Sequence, residues 1–277
     1  MKNIKKIVKR SGTSFFWSMR LLPTPKRNAM FTIYAFFRHI DDIVDGDLPI
    51  PEKEELIKAW RTELDNIYDK KVPTTDIGRK IYKNCMRFKL PKTEFVKMLD
   101  SISMELPTPI QAPDIEDFNK YCRGVAGVPG NLTLRIFGCE DEELIEKLST
   151  CLGRALQITN ILRDVKEDAQ AKRIYIPAQM LAEAGIVSKD PLNVLVDKNL
   201  VIAREKLSQL AEADYKEASE LVKQLPKKTM RQIRMMTDIY KRYFDIMKNR
   251  GWEIISPKPK ISKINKLCLI IKAFLGR

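Results

Sequence analysis

The sequence predicts an all-α protein. Apolar residues recur at helical spacing over most of the chain, strand-like alternation is nearly absent, and glycine- or proline-marked breaks separate the periodic stretches. From Asn28 to Val44, apolar side chains fall at 30, 33, 34, 37, 40 and 44, with much of the opposite side also apolar, which predicts a central helix. Gly46 and Pro49 end it. Glu52 to Tyr68 reads as a more exposed amphipathic helix, Asp76 to Phe88 as another, and Pro91-Lys92-Thr93-Glu94 opens a further one running to about Met104. LPTPIQAPD, with three prolines in nine residues, is a connection. Ile115 to Leu134 is helical in tendency, and Gly124, Gly127, Pro129 and Gly130 within it predict a bend or a close helix contact. Glu142 to about Ala169 is one long periodic stretch, AGIVSKDPLN a loop, and Leu195 to Leu225 and Lys228 to Arg250 are the last long helices.

At 277 residues and 44% hydrophobic, the chain can bury a substantial core, and it is expected to form one domain over 1–277 with a basic, apolar tail from about residue 255. Its formal charge of +14 suits nucleic acid, an anionic membrane surface or phosphorylated small molecules, and the charge count does not rank these. Five cysteines, at 85, 122, 139, 151 and 268, form no CxxC pair, which argues against a disulfide framework or structural zinc and suits a reducing, cytoplasmic setting. The basic start MKNIKKIVKR is followed by no long apolar segment, so neither a signal peptide nor a membrane span is expected.

The chemistry concentrates in DDIVD, three carboxylates at the end of a mostly apolar run. At about 100° per residue, Tyr34, Arg38, Asp41 and Asp45 share an arc of roughly 60°, with Asp42 just beside them. ALQITNILRDVKEDAQ repeats the design: Gln157, Asn160, Asp164 and Asp168 lie within about 80°, flanked by Arg163. Either stretch alone also fits solvated acids near a helix end. Two of them, both embedded in apolar sequence, favour a shared cleft. Converging carboxylates raise one another's pKa unless a cation neutralises them. The sequence offers too few suitably spaced lysines, so bound cations are expected to compensate and the empty site to be loose. Oxygen ligands without nearby histidine or cysteine favour magnesium, which usually bridges to substrate phosphates. His39, the sole histidine, is expected at the surface or behind the site.

These motifs, together with SGTSFFWSMRLLP, AMFTIYAFFRHIDD, YCRGVAGVPGNL and RIYIP, resemble the squalene/phytoene synthase family over most of residues 11–180. The resemblance implies an isoprenoid synthase fold, helices surrounding a central cavity, with Mg2+ as cofactor. The wording SFFWSMRLLP and the late stretch IRMMTDIYKRYFDIMKNRGWEI are similar to the branch that makes presqualene diphosphate for bacterial hopanoids. Carried over by position, the resemblance implies metal-mediated diphosphate binding by Asp41, Asp45, Asp164 and Asp168, with Asn160 as a further ligand. Arg38, Arg163 and Arg173 would contact diphosphate oxygens, Gln157 would face the cavity, Tyr34, Tyr121 and Tyr175 would line the reactive zone, and Ser14 would lie in a phosphate-contact region. Two positions depart from the family pattern. Ile102-Ser103-Met104-Glu105 replaces an acidic MEMD-like tetrapeptide, and Val128-Pro129 stands where relatives usually lack proline.

The implied reaction is head-to-head condensation of two farnesyl diphosphates, releasing diphosphate. Alternatives are squalene or dehydrosqualene synthesis, and phytoene synthesis from geranylgeranyl diphosphate. Outside that chemistry stand a catalytically silent assembly factor, against which the intact aspartates argue, and a basic membrane-surface adaptor. Phe31, Phe36 and Phe37 are candidate walls for a cation-holding chamber, with Phe31 and Phe36 more readily read as core residues. KINKLCLIIKAFLGR reads either as an interfacial helix on the inner face of a membrane or as a last helix packed on the domain or on a partner subunit, with oligomeric state open. No nucleic-acid motif accompanies the basic excess.

Overall fold

The computed structural model describes residues 2–10 and 15–275. Ser14 lies outside the described residues. The elements are α1 (Lys2–Arg10), α2 (Phe16–Arg20), α3 (Thr24–Asp45), α4 (Ile50–Tyr68), α5 (Asp76–Phe88), α6 (Lys92–Ser103), α7 (Ile115–Cys122), a π-helical turn (Arg123–Gly127), α8 (Val128–Phe137), α9 (Glu142–Gln170), α10 (Ala178–Glu183), α11 (Pro191–Val196), α12 (Leu200–Val222), α13 (Lys227–Arg250) and α14 (Lys263–Leu275). Among the described residues the sole strand-like pairing is a bridge between Gln111 and Ile174.

Two helices organise the rest. α3 packs against α1, α4, α5, α6 and α8, and α9 against α7, α8, α11, α12, α13 and the π turn. α8 therefore touches both. Phe36, fully buried on α3, meets the rings of Trp60 and Phe95 edge-on at 5.1 and 5.6 Å. Burial of each such side chain contributes about 1.5–3 kcal/mol. α9 starts on Asp141, whose carboxylate accepts from Leu144 N at 3.0 Å. It is braced to α12 by Arg154, which donates twice to Asp214 at 2.8 Å, and by the Thr159–Tyr215 hydroxyl pair at 2.8 Å. Such fixed helices are what precise placement of charged side chains requires.

Of the two expected outcomes for the glycine-rich segment, a bend or a close helix contact, the structure has the close contact. A Cβ on Gly153 would lie 2.6 Å from Gly127 Cα, so α9 and the π turn touch through backbone. The chain stays helical from Ile115 to Phe137, the π turn taking up the extra residue before Pro129 enters the first turn of α8. Two boundaries differ from expectation. AGIVSKDPLN ends in a helix, because Asp190 caps Leu192 N and Asn193 N at 3.0 and 2.9 Å with Pro191 at the first helical position. The next long helix then begins at Leu200 rather than Leu195, since Asp197 turns the chain and accepts from Asn199 N at 2.8 Å.

The proline-rich connection is also more ordered than a plain link. Ala112 N donates to Ile174 O at 2.8 Å and Ile174 N to Ile110 O at 2.9 Å, which ties the connection to the segment carrying Arg173 and Tyr175, while Arg173 N donates to Asp168 O at the end of α9 at 2.8 Å. α14 packs on α13, with Leu269 against Met235 and Ile239, while Ile264 and Ile271 stay exposed.

Candidate active site

One face of α3 presents Met30, Ile33, Tyr34, Phe37, Arg38, Asp41 and Asp45 to a cavity of about 560 Å³. At 1.5 Å per residue, Met30 and Asp41 stand about 16 Å apart along the helix, so the face runs from apolar to acidic. α9 matches it from the other side with Leu148, Leu152, Gln157, Asn160, Arg163, Asp164 and Asp168. Tyr121, Arg173, Tyr175 and Tyr240 complete the polar end, while Met19, Leu134 and Met236 join the apolar one. All the expected site residues within the described chain thus line one chamber. Phe37 lines it too; Phe31 and Phe36 are core residues, and exposed His39 sets its ring edge-on to Trp60 outside the lining.

The charges are arranged asymmetrically. Arg38 pairs with exposed Asp42 at 2.6 Å, leaving Asp41 alone on the inner stripe. Burial and the neighbouring Asp45 carboxylate push Asp41 up to about 7, against the pull of Arg38. Asp45 is held by Arg173 at 2.6 Å, across 128 residues of sequence. On α9, Arg163 forks onto Asp164 at 2.5 and 3.0 Å, and Lys258 adds a contact at 2.6 Å. Burial alone would raise Asp164, but these two cations outweigh it and hold the carboxyl below its usual range. Asp168 is pushed up to about 7 by burial and by Asp164.

The expectation that bound cations and substrate carry the whole compensation is therefore corrected in part. Arginines and one distant lysine already neutralise half of the acidic stripe. Lys258 lies in PKPK, about ninety positions from its partner, where no local spacing signals it. Glu105, noted in the sequence only as a departure from the family's acidic tetrapeptide, was given no role in the site. It is 7% exposed, accepts from Tyr121 OH at 2.7 Å and Tyr175 OH at 3.1 Å, and meets Arg173 Nε at 2.8 Å without a straight hydrogen bond. The two phenol rings stack at 5.1 Å. An acid inside the otherwise apolar ISMEL was the available signal. Tyr240, stacked on Phe15 at 5.0 Å, was not singled out either, and burial pushes it up to about 12.

Among the described residues, no three His, Cys, Asp or Glu side chains already stand grouped as a metal site. The donor chemistry nonetheless fits a hard divalent ion. Asn160 Oδ1 is buried without a partner, its amide nitrogen turned to Gln157 Oε1 at 3.3 Å. Asp41 and Asp168, both driven toward the neutral form by their surroundings, would be recharged by a cation. Oxygen donors alone, with no thiolate or imidazole, suit magnesium.

The squalene/phytoene synthase family model matches residues 8–265. The chain belongs to the squalene/phytoene synthase family. Similar relatives include the presqualene diphosphate synthases of Sinorhizobium fredii, 34% identical over 94% of this chain and 92% of that one, and of Zymomonas mobilis, 35% identical over 94% and 87%. Among solved structures, a dehydrosqualene synthase bound to a ligand superposes with a TM-score of 0.86 at 25% identity, covering 99% of this chain and 95% of that one. A squalene synthase from Alicyclobacillus acidocaldarius does so with a TM-score of 0.80 at 24% identity, covering 90% and 94%. As a family member the chain is a prenyltransferase of the head-to-head type, working by a divalent-metal-dependent mechanism.

Proposed function

We propose that the chain joins two farnesyl diphosphates into presqualene diphosphate, releasing one diphosphate. The observation that carries this reading is the single chamber with an acidic end built from α3 and α9 and a long apolar end behind it. Such a shape suits a substrate with a charged head and a hydrocarbon tail. The similarity to presqualene diphosphate synthases over nearly the whole chain supports the product assignment.

Asp41, Asp45, Asn160, Asp164 and Asp168 would hold magnesium. The metal would neutralise the diphosphate and act as a Lewis acid on the leaving group. Arg38, Arg163 and Arg173 bind diphosphate oxygens and take up the charge that develops as the allylic C–O bond breaks. Met19, Met30, Ile33 and Leu134 exclude water from the resulting cation. Phe37, Tyr34 and Tyr240 turn aromatic surface toward it, each worth about 0.5–2 kcal/mol when desolvated. The second substrate's double bond attacks, and transfer of a proton to the released diphosphate closes the cyclopropane. Glu105 holds the Tyr121 and Tyr175 hydroxyls and keeps Arg173 directed at the first motif. Lys272 and the exposed Ile264 and Ile271 of α14 support a peripheral seat on an anionic membrane, where such a substrate resides. Sedimentation with anionic vesicles, lost on removal of residues 263–277, tests that seat.

The deciding experiment incubates the purified protein with farnesyl diphosphate and Mg2+, with and without NADPH. Presqualene diphosphate in both tubes is expected. Squalene formed only with NADPH would replace this reading with squalene synthesis, and a C40 product made solely from geranylgeranyl diphosphate would overturn both.

A further inference from the structure

Residues 251–258, between α13 and α14, form an arm shaped by its own hydrogen bonds. Gly251 turns the chain at φ +95°, a conformation that favours glycine. Arg204, 1% exposed, donates to Trp252 O and, at 3.0 Å, to Leu162 O on α9. One side chain thus clamps the start of the arm to the helix turn that carries Arg163 and Asp164. Arg250 donates to Ile254 O at 3.0 Å and to Pro257 O at 2.6 Å, fixing the residue next to Lys258. The arm ends with Lys258 Nζ on Asp164 Oδ1 at 2.6 Å and on Glu167 Oε1 at 2.9 Å.

Both oxygens of Asp164 are already engaged, Oδ2 by Arg163 and Oδ1 by Arg163 and Lys258. A divalent ion taking Asp164 as ligand needs an oxygen that a cation now holds. An ammonium and a divalent ion on one carboxylate oxygen would stand roughly 3–4 Å apart and repel strongly. Arg163 is the poorer candidate to leave. It sits on α9 beside Asp164, is mostly buried, and lies 5.8 Å from the Tyr243 ring centre. Lys258 comes from outside the helix on a flexible stem and is the more exposed of the two.

We infer that Lys258 is a resident counter-cation of the second acidic motif which competes with the divalent metal for Asp164, so that metal loading drives the 251–258 arm away from α9. This rests on the reading of Asp164 as a metal ligand. Its consequence is that metal occupancy is coupled to the position of the segment leading into α14, and by linkage any contact that draws that segment away raises metal affinity by the same factor.

The test is Mn2+ titration followed by electron paramagnetic resonance, without diphosphate, on the parent protein, Lys258→Gln, Arg250→Gln and Asp164→Asn. Lys258→Gln is expected to bind Mn2+ about tenfold more tightly than the parent, inside the usual span of site-to-site coupling. Arg250→Gln, which frees the Ile254 and Pro257 carbonyls but keeps the lysine, is expected to tighten binding about threefold. Asp164→Asn should weaken it. In the parent, amides 252–258 should exchange hydrogen faster once Mn2+ is added. Equal or weaker Mn2+ binding by Lys258→Gln, or an arm whose exchange is unchanged or slowed, overturns the competition while leaving the proposed reaction intact. Asp164→Asn binding Mn2+ as the parent does would remove the ligand assignment, and the competition with it.

Discussion

The two acidic motifs look alike in sequence but are neutralised by different parts of the chain. Each has an aspartate pair one turn apart on the cavity face of its helix, and each leaves one member, Asp41 or Asp168, raised to about 7. The other member carries a partner. Asp45 borrows Arg173 from just beyond the end of α9, whereas Asp164 is held by its own neighbour Arg163 and by Lys258 from the tail arm. The first motif is therefore tied to the second, and the second to the C-terminus. A site built this way holds one carboxylate of each motif in ion pairs and leaves the other pushed toward its neutral form.

Removing a carboxylate should break the site outright. Asp41→Asn and Asp164→Asn are each expected to lower turnover of farnesyl diphosphate by about 10³-fold, with far-UV circular dichroism unchanged. If only one of them did so, the motifs would differ in importance as well as in pairing, and full activity in either variant would end the metal-clamp reading.

Glu105 tests the link between the halves. It touches Tyr121, Tyr175 and Arg173, and through Arg173 reaches Asp45. Glu105→Gln keeps the shape and removes the charge. The expected result is a loss of about 10–100-fold in kcat with KM nearly unchanged, partly restored by Glu105→Asp. A loss confined to KM would mean that Glu105 helps substrate bind rather than aligning the groups that react.

These residues also mark where sequence stopped being informative. Periodicity identified the stripes on α3 and α9, because residues one turn apart on one helix have their relative directions fixed by that helix. It could not find Lys258 or assign Glu105, since their partners come from other segments and meet only in the folded chain. Arg173 was legible through the family resemblance, but its pairing with Asp45 was not. The α11 boundary was missed for the opposite reason: Asp190-Pro191 is a local start signal lying in plain view.

The raised aspartates predict an unusual stability profile for the metal-free protein. A carboxyl whose folded pKa is about 7, against about 4 unfolded, holds its proton more tightly in the fold. Its favourable contribution is complete below about pH 4 and is lost as pH climbs through 7. Asp164, held low, acts in the opposite sense, contributing above about pH 4 and losing that contribution as pH falls below its own pKa. Between about pH 5 and 8 the raised pair should dominate and cost roughly 2 kcal/mol per aspartate, a figure already reduced for water reaching the cleft. Thermal melts should show the decline, Mg2+ with diphosphate should offset it, and Asp41→Asn should roughly halve it, leaving the Asp168 part.

The smallest effect belongs to the one carboxylate of the first motif that faces away from the chamber. Asp42 neighbours Asp41 in sequence, yet its side chain is 55% exposed and its partner Arg38 is 44% exposed. An exposed i,i+4 pair contributes about 0.3–0.5 kcal/mol. Asp42→Asn should therefore shift the melting temperature by only about 1–2 °C and leave turnover within about twofold, because Arg38 remains beside the chamber. Parallel assays of Asp41→Asn and Asp42→Asn thus compare two adjacent carboxylates that differ mainly in direction. A large loss in the second would mean that Arg38 needs Asp42 to stay aimed at the diphosphate, and the outward carboxylate would then belong to the working site.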